Sequence, residues 1–274
     1  MKHASQKISN EYSKAIKENK NLVSATGGAK FAGYSTHELD GLPQGVSDNS
    51  FGCGNPLATS SVKEGDIVLD LGCGTGLDLL LAAEKVGPKG RVIGIDMNED
   101  MLKMAKENID ASKFINIELR KGMIESLPVE SGSIDWVISN CVINLSSDKK
   151  QVFTEIARVL KPSGQIHISD IVSENMPWWV KKSGVLTAAC AGATLSENHY
   201  LVGLENVGMV DCRVIERQYY EPSQLSSAVL DLLPVFLTKL SCCGKGLIES
   251  LLLKVASPIA KNLWSAKFTG KLRA

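Results

Sequence analysis

The 274-residue sequence has few of the features that mark several common protein classes. It carries no excess charge, because 30 Lys and Arg residues balance 30 Asp and Glu residues, so a basic surface for a nucleic-acid backbone is not expected. Aromatic residues are only 5% of the chain, so an aliphatic core is expected. No apolar run reaches the roughly 18 residues of a membrane helix, and the N-terminus lacks the apolar segment of a secretory signal. We therefore predict a cytoplasmic globular protein with neither a nucleic-acid nor a membrane partner.

The cysteines also lack a familiar arrangement. There are seven, an odd number, and none form a Cys-x-x-Cys pair. This pattern fits neither a disulfide framework nor a zinc knuckle. The thiols are expected to be reduced, so they need another role.

The centre of the chain has an alternating pattern. Short runs rich in β-branched residues alternate with longer segments of helical periodicity. Such alternation is typical of a parallel sheet with right-handed crossovers, so we predict a Rossmann-like α/β domain. The predicted strands cover residues 66–71, 91–96, 115–120, 133–139 and 164–170, and the predicted helices cover residues 76–86, 100–109 and 148–160.

The regions on either side read differently. Residues 1–50 predict an N-terminal helix followed by a lid loop rich in Gly, Ser and Thr. The central domain is predicted to span residues 51–220, with a substrate insertion at about 173–206, a helix that begins within it at Glu197, and one or two strands near its end. Residues 221–274 are Leu-rich and predict a smaller, mainly helical C-terminal extension.

The sharpest motif is VLDLGCGTG at residues 68–76, a strand that leads through a glycine turn into a helix. Glycines let the backbone approach a ligand closely, and the helix N-terminus offers unpaired N–H groups. A dinucleotide fingerprint would need a third glycine where this chain has Leu77. The next strand ends in Asp96, whose carboxylate can accept both hydroxyls of a ribose. The motif therefore predicts a nucleoside site at this end of the sheet.

This arrangement resembles the class I S-adenosylmethionine-dependent methyltransferases, whose fold is a mostly parallel seven-stranded sheet. The resemblance implies that Asp70 and the glycine turn hold the methionine end of S-adenosylmethionine, that Asp96 holds its ribose, and that residues 122–125 contact its adenine. The cofactor contacts that it implies are Asp70, Gly72, Gly74, Gly76, Asp96, Met97, Ile124, Glu125 and Asn140.

Three cysteines stand in unusual surroundings. Methyltransferases that act on the amino groups of bases usually carry an Asn/Asp-Pro-Pro-aromatic run after the fourth strand, whereas this chain has SNCVINL there, with Cys141 at the mouth of the predicted site. Cys53 lies in FGCGNP before the first strand, and Cys190 lies in AACAGA within the insertion. Small neighbours leave room for a ligand against either of these two sulfurs.

With these motifs, the sequence resembles the arsenite methyltransferases over roughly residues 30–220. The resemblance implies that Cys53, Cys141 and Cys190 bind trivalent arsenic, a soft, thiophilic centre that suits three converging thiolates. It also implies that the substrate is arsenite or its thiol conjugates. A thiol reductant such as thioredoxin or glutathione would reopen a disulfide formed during the cycle.

The chain departs from many of these relatives near its N-terminus. Residues 24–28 read SATGG, where relatives carry an adjacent cysteine pair. An adjacent pair occurs instead near the C-terminus, as Cys242 and Cys243. Two interpretations are open: an auxiliary site that catches arsenic and passes it inward, or a helix end with one thiol packed and one exposed. Cys212, in a strand-like segment, is predicted to be structural.

Two other functions share parts of this pattern. A carbon or oxygen methyltransferase of the quinone or sterol type would share the central domain, and a non-catalytic metalloid-binding protein would bind arsenite without consuming S-adenosylmethionine. We favour arsenic methylation, because carbon and oxygen methylation have no comparable need for cysteine. Arsenic attacks with its own lone pair, so no general base is needed, and His167 and His199 are predicted to be packed or surface residues.

Overall fold

The computed structural model describes residues 32–43, 46–47, 52–176, 194–222 and 256–274, together with residues 9, 10, 13 and 29. The predictions for Cys190, Cys242 and Cys243 therefore lie outside the described residues, as does most of the predicted N-terminal helix. Among the residues described, no helix combines the length and apolarity that a bilayer crossing requires.

The strands of the described residues form one seven-stranded sheet in the order β3-β2-β1-β4-β5-β7-β6. Strands β1 to β5 run parallel to one another, and β7 runs antiparallel to both β5 and β6. The predicted Rossmann-like α/β fold with a mostly parallel sheet is confirmed. The strands are β1 (Ile67–Leu71), β2 (Arg91–Asp96), β3 (Ile117–Lys121), β4 (Ile134–Asn140), β5 (Leu160–Ser173), β6 (Met209–Tyr219) and β7 (Leu263–Leu272).

The helices follow their capping signals. Asn98 accepts the N–H of Met101 at the start of one helix, and Asp148 accepts that of Gln151 at the start of the next, so both begin at a side-chain oxygen. The helices bounded within the described residues are α1 (Thr36–Asp40), α2 (Leu77–Val86), α3 (Glu99–Asp110), α4 (Lys149–Val159) and α5 (Glu197–Glu205), with a 3₁₀ turn at Ile143–Leu145. Helices α2 to α5 lie where helices were predicted.

Helix α1 lies in the segment predicted to be a loop. Ser35 and Glu38 form a capping box, in which the Ser35 hydroxyl accepts the Glu38 N–H and the Glu38 carboxylate accepts the Ser35 N–H. This Ser-x-x-Glu spacing is readable in the sequence as a helix start. The helix is short, so its apolar periodicity gave no signal.

Aliphatic side chains cover both faces of the sheet, as the composition predicted. One face packs against α2 through residues such as Leu79 and Leu80. The other packs against α4 and α5, where Tyr200 stacks on Phe268 of β7 with ring centroids 4.2 Å apart. Tyr200 also meets Phe153 edge-on at 5.2 Å. Three aromatic rings therefore pack together where the C-terminal strand joins the core.

The mainly helical prediction for residues 221–274 is wrong at its end. Residues 256–260 are helical, but Leu263–Leu272 is a strand that enters the sheet between β5 and β6. Trp264, Ala266 and Phe268 alternate on one face and join the main core. The alternate positions carry polar side chains that are also buried, so the strand lacks the usual polar-out pattern. A segment of the predicted C-terminal extension therefore belongs to the same sheet as the predicted central domain.

Replacing Phe268 tests this placement of β7. Phe268→Ala should lower the free energy of unfolding by about 3–5 kcal/mol, because it removes a fully buried ring and leaves a cavity. Urea unfolding followed by circular dichroism measures the difference. Ile115→Ala is the control, since Ile115 is 96% exposed, and it should change stability by about 0.5 kcal/mol or less. A loss below about 1 kcal/mol for Phe268→Ala would contradict a core position.

Candidate functional site

A cavity of about 780 Å³ opens at the carboxyl ends of the central strands. Strand β1 has β2 on one side and β4 on the other, so the strand order reverses at this point of the sheet. Ligands usually bind at such a reversal in an open α/β sheet. Seven of the nine predicted cofactor residues line it: Gly72, Gly74, Asp96, Met97, Ile124, Glu125 and Asn140. Asp70 and Gly76 are not lining residues; they lie at the end of β1 and at the N-terminus of α2.

The three glycines of the turn are required by different features of the structure. Gly72 has φ +67°, and a Cβ there would lie 2.4 Å from Cγ2 of Val142. Gly74 has φ +52°, and a Cβ there would meet no protein atom within 4 Å. Because Gly74 lines the cavity, the space that its missing side chain leaves is available to a ligand. Gly76 caps α2 with φ +93° and packs near Ala105, so its role is in helix packing.

Asp96 connects the glycine turn after β1 with the turn that follows β2. Its Oδ2 accepts the Gly74 N–H at 3.0 Å, and its Oδ1 accepts the Asn98 N–H at 2.8 Å. Burial raises the pKa of this carboxyl group, although the backbone N–H groups oppose the shift. Each oxygen can accept a further hydrogen bond, so the position suits a ribose diol.

Glu125 offers an unused acceptor to the cavity. Its Oε1 accepts the hydroxyl of Ser146, while its Oε2 is buried without a hydrogen-bond partner. Such orphaned buried oxygens are rare and mark a missing donor. The exocyclic amine of adenine would supply one, and the neighbouring Ile124 and Met97 give an apolar wall. The residues present therefore fit the adenosine part of S-adenosylmethionine.

Buried carboxylates gather behind the glycine turn. Burial raises the pKa of Asp70 well above its ordinary value, and the charges of Asp78 and Asp96 raise it further. Burial also raises the pKa of Asp78 to about 6, against hydrogen bonds from Tyr34 Oη at 2.7 Å and Asn140 Nδ2 at 3.2 Å. A cationic ligand group would lower the free-energy cost of ionising these carboxyl groups. The sulfonium and ammonium groups of S-adenosylmethionine have that charge.

Asn140 holds the first cysteine loop against the end of β4. Its Oδ1 accepts the N–H groups of Cys53 at 2.9 Å and Gly54 at 3.2 Å, and its Nδ2 donates to the Gly54 carbonyl at 2.6 Å. A Cβ on Gly52 would lie 2.2 Å from this Nδ2, so the loop can approach only because that residue is glycine. The glycines around Cys53 thus serve docking of the loop.

Docking of the loop brings two of the predicted arsenic ligands together. Cys53 and Cys141 are joined by a disulfide, with their Cα atoms 5.9 Å apart. Both are buried in an apolar cluster whose other members are Ile171, Met176, Tyr220, Ile259 and Leu263. Cys141 has φ +59°, an unusual value for a residue other than glycine, and it also lines the nucleoside cavity. The sulfur pair therefore lies on the border between that cavity and the apolar cluster.

Asp170 lies beside the two sulfurs. One of its carboxylate oxygens and both sulfurs lie within 4.8 Å of one another. The carboxylate accepts from Asn144, from the Ile171 N–H at 2.9 Å and from Tyr200 Oη at 3.3 Å. Burial raises the pKa of Asp170 to about 7. Several hydrogen bonds therefore hold the carboxylate in place near the C-terminal end of β5.

Tyr34, Asp78 and Asp170 are members of the site that the sequence did not predict. Asp78 and Asp170 stand in otherwise apolar runs, LDLLLAA and ISDIV, and an acid in a buried segment is the signal that could have found them. Cys73 and Cys212, the free cysteines among the described residues, lie apart from the disulfide. Burial raises the pKa of both thiols.

Comparison with known proteins agrees with this geometry. Residues 62–209, more than half of the chain, match the family described as a methyltransferase domain. An arsenite methyltransferase from Halobacterium salinarum is 45% identical over 145 residues, which cover 53% of this chain and 37% of that protein. An arsenite methyltransferase from Mus musculus is 34% identical over 221 residues, which cover 76% of this chain and 58% of that protein. A crystal structure of an arsenic(III) S-adenosylmethionine methyltransferase from Chlamydomonas reinhardtii matches 87% of this chain and 72% of its own, at 31% identity and a TM-score of 0.66.

The chain belongs to the arsenite methyltransferase family. The predicted family is thereby confirmed, and with it the class of cofactor, S-adenosylmethionine. The chain spans less than two thirds of the length of either curated arsenite methyltransferase. The methyltransferase domain match includes the glycine turn and Cys141 but begins after Cys53.

The open space at Gly74 gives a test of the cofactor position. Gly74→Ala should weaken S-adenosylmethionine binding at least about 10-fold, because a methyl group would occupy cavity space, while left-handed backbone costs about 1–2 kcal/mol of stability. Gly65→Ala is a matched control: Gly65 also has positive φ, +90°, and open space around its Cα, but it does not line the cavity. Calorimetric titration measures affinity. Equal affinity in both variants would refute the proposed position.

The buried acid near the sulfurs predicts a pH dependence of stability. The folded chain holds a proton on Asp170 more tightly than the unfolded chain, because its pKa is raised to about 7. The protonated Asp170 therefore contributes to the free energy of unfolding at low pH. This contribution is lost as pH rises toward 7, by up to about 2 kcal/mol between pH 5 and 7. Asp170→Asn should remove that part of the slope, whereas Asp40→Asn, on the surface, should keep it. Denaturant unfolding across pH gives the slopes, and identical slopes would contradict the raised pKa.

Proposed function

We propose that the protein methylates trivalent arsenic, arsenite and methylated arsenicals bound as thiolate complexes, with S-adenosylmethionine as the methyl donor. One observation carries the proposal: Cys141 lines the nucleoside cavity while its sulfur lies next to that of Cys53. An atom bound by this sulfur pair would lie beside the cofactor. The relatives named arsenite methyltransferases support the same substrate. A cytoplasmic location belongs to the proposal.

The cavity residues would hold the cofactor by their own chemistry. S-adenosylmethionine, when bound, supplies a methyl group on a positively charged sulfur. Asp96 would accept the ribose hydroxyls, and the unpartnered Oε2 of Glu125 would accept the adenine amine. The buried Asp70 would face the positive charge of the methionine end, which would offset the burial and the neighbouring negative charges that raise its pKa. Such charge-assisted hydrogen bonds contribute roughly 1.5–3 kcal/mol each.

Arsenic capture would need the open form of the sulfur pair. Opening the Cys53–Cys141 disulfide takes two electrons and two protons from a thiol reductant, for which thioredoxin and glutathione are the expected classes. Arsenite then exchanges two hydroxides for two thiolates, and each thiol proton leaves with a hydroxide as water. Cys190 would supply the third thiolate, as the family resemblance implies. The apolar cluster around Cys53 and Cys141 would keep water away from the arsenic–sulfur bonds.

Methyl transfer would rest on alignment, because the arsenic lone pair is the nucleophile. Positioning alone can supply roughly 7–11 kcal/mol. No base is needed. Two of the described histidines have partners of their own: His167 Nδ1 lies 3.0 Å from the Pro56 carbonyl, and His199 Nδ1 lies 2.7 Å from Ser196 Oγ. Methylation oxidises arsenic from the trivalent to the pentavalent state. Closure of the cysteine pair to a disulfide would return two electrons to it.

Substitutions can test which cysteines are required for the methylation of each arsenic substrate. Cys141→Ser and Cys190→Ser should each stop methylation of arsenite and of monomethylated arsenite, because a singly methylated centre has only two positions left for thiolates. Cys53→Ser should reduce methylation of arsenite far more than of the monomethylated substrate. The assay incubates protein with the arsenical, S-adenosylmethionine and dithiothreitol, and separates the arsenic species.

Cys212→Ser is the control for these variants, since Cys212 lies on β6 outside the sulfur cluster, and it should retain full activity. Calorimetric titration with S-adenosylmethionine checks that each variant keeps its cofactor site. Equal loss of both activities in all three variants would refute the division into a required pair and a third ligand. Full activity of Cys141→Ser would refute arsenic binding by this pair.

A further inference from the structure

A second cavity, of about 350 Å³, lies between β5, β6, β7 and the loop that follows Cys53. Strand pairing places its polar side chains together: Ser169 pairs with Lys267, Lys267 with Glu216, and Ser265 with Gln218. These side chains and Asn55 line the cavity. It shares no lining residue with the nucleoside cavity, so cofactor binding does not account for it.

Ser169 gives the first sign of a ligand. Its side chain is 1% exposed, and its Oγ has no hydrogen-bond partner. Leaving a buried hydroxyl unpaired is unfavourable. A Cβ on Gly54 would lie 2.7 Å from this Oγ and 3.8 Å from Ser265 Oγ, so only a glycine lets the loop lie this close to the two hydroxyls without filling the space beside them. The arrangement suits a ligand that hydrogen-bonds with Ser169.

Lys267 and Glu216 give the second sign. The Lys267 side chain is 7% exposed, and its Nζ donates to Glu216 Oε2 at 2.6 Å. Lysine is rarely buried without a partner. The pair presents one positive and one negative group to the cavity, so a ligand of a single sign would face repulsion from one of them. A group that carries both an ammonium and a carboxylate would complement both.

The cavity lies close to the disulfide. Gly54 lines it and directly follows Cys53. Ile171, the next residue on the same face of β5 after Ser169, packs against Cys53 and Cys141. Two residues along a strand span about 7 Å. A small ligand anchored at Ser169 and Lys267 would therefore end near the sulfur of Cys53.

We propose that this cavity binds the ammonium and carboxylate groups of a small amino-acid thiol and directs its sulfur to Cys53. The thiolate of the ligand attacks Cys53 Sγ, the Cys53–Cys141 bond breaks, and the electron pair leaves on Cys141 Sγ, which takes up a proton. A second thiol then attacks the ligand sulfur of the mixed disulfide, frees Cys53 and releases the ligand as a disulfide. The inference rests on the proposed function, because arsenic binding requires this opening.

The test measures disulfide opening in the oxidised full chain without arsenic or S-adenosylmethionine. Four thiols are compared: L-cysteine with both charges, cysteamine with the ammonium only, 3-mercaptopropionate with the carboxylate only, and 2-mercaptoethanol with neither. Alkylation and mass spectrometry of the Cys53 and Cys141 peptides follow the rate. Each rate is divided by that for a small reference disulfide, which corrects for thiol reactivity. L-cysteine should exceed each of the others at least about 10-fold, the effect of one charge-assisted hydrogen bond.

Variants locate the effect. Ser169→Ala and Lys267→Met should each lower the corrected L-cysteine rate toward that of 2-mercaptoethanol and leave the 2-mercaptoethanol rate unchanged. Ser169→Ala removes a hydroxyl without a partner, so it should not cost stability. Ser139→Ala is its matched control, since Ser139 Oγ is also buried without a partner but lines neither cavity. L-serine, which has oxygen in place of sulfur, should inhibit opening by L-cysteine only.

Equal corrected rates for the four thiols, or variants that slow all four alike, would overturn the inference. Absence of arsenic methylation with dithiothreitol would instead overturn the proposed function and leave this assay unaffected. The two failures are therefore distinguishable.

Discussion

The side-chain amide of Asn140 is the contact on which both halves of the site depend. It accepts from the backbone of Cys53, 87 residues earlier in the chain, and so fixes the first cysteine loop to the end of β4. Because Cys141 directly follows Asn140, the same contact brings the two sulfurs together. The approach is close enough that Gly52 has no room for a side chain. An amide is needed, since one oxygen must accept while one nitrogen donates to the Gly54 carbonyl.

The same amide also links the sulfurs to the buried carboxylates behind the glycine turn. Its Nδ2 lies 3.0 Å from Tyr34 Oη and 3.2 Å from Asp78 Oδ2, and Tyr34 donates to Asp78 in turn. Burial raises the pKa of Asp70 and Asp78, so the folded chain stores an electrostatic cost beside the glycine turn. Retaining buried acids is consistent with a ligand that brings positive charge, because binding then recovers part of that cost.

The sequence predicted the parts of the molecule that depend on local pattern. The strands before residue 174, the glycine turn and Asp96 follow from periodicity and spacing, and the cysteine motifs stood out by their small neighbours. Strand β7 was missed although Trp264, Ala266 and Phe268 alternate with polar residues, which is the period-2 pattern of a strand, because the Leu-rich segment before it favoured a helical prediction. The burial of Ser265 and Lys267 depends on pairing with β5 and β6. The roles of Asp78 and Asp170 were missed for a related reason: each depends on partners that are distant in sequence.

The reversed strand gives the sulfur pair a second approach. Cys53 and Cys141 are 3% and 6% exposed, within an apolar cluster, so the described residues around them disfavour the approach of a polar reductant through that cluster. Cys141 is reached from the nucleoside cavity, which the cofactor would fill during turnover. The loop side of Cys53 borders the cavity that β7 completes with Lys267. If the reductant enters there, Cys53 is the sulfur attacked and Cys141 is the sulfur released. The freed thiolate then appears beside the cofactor, which is the position that methyl transfer to arsenic would require.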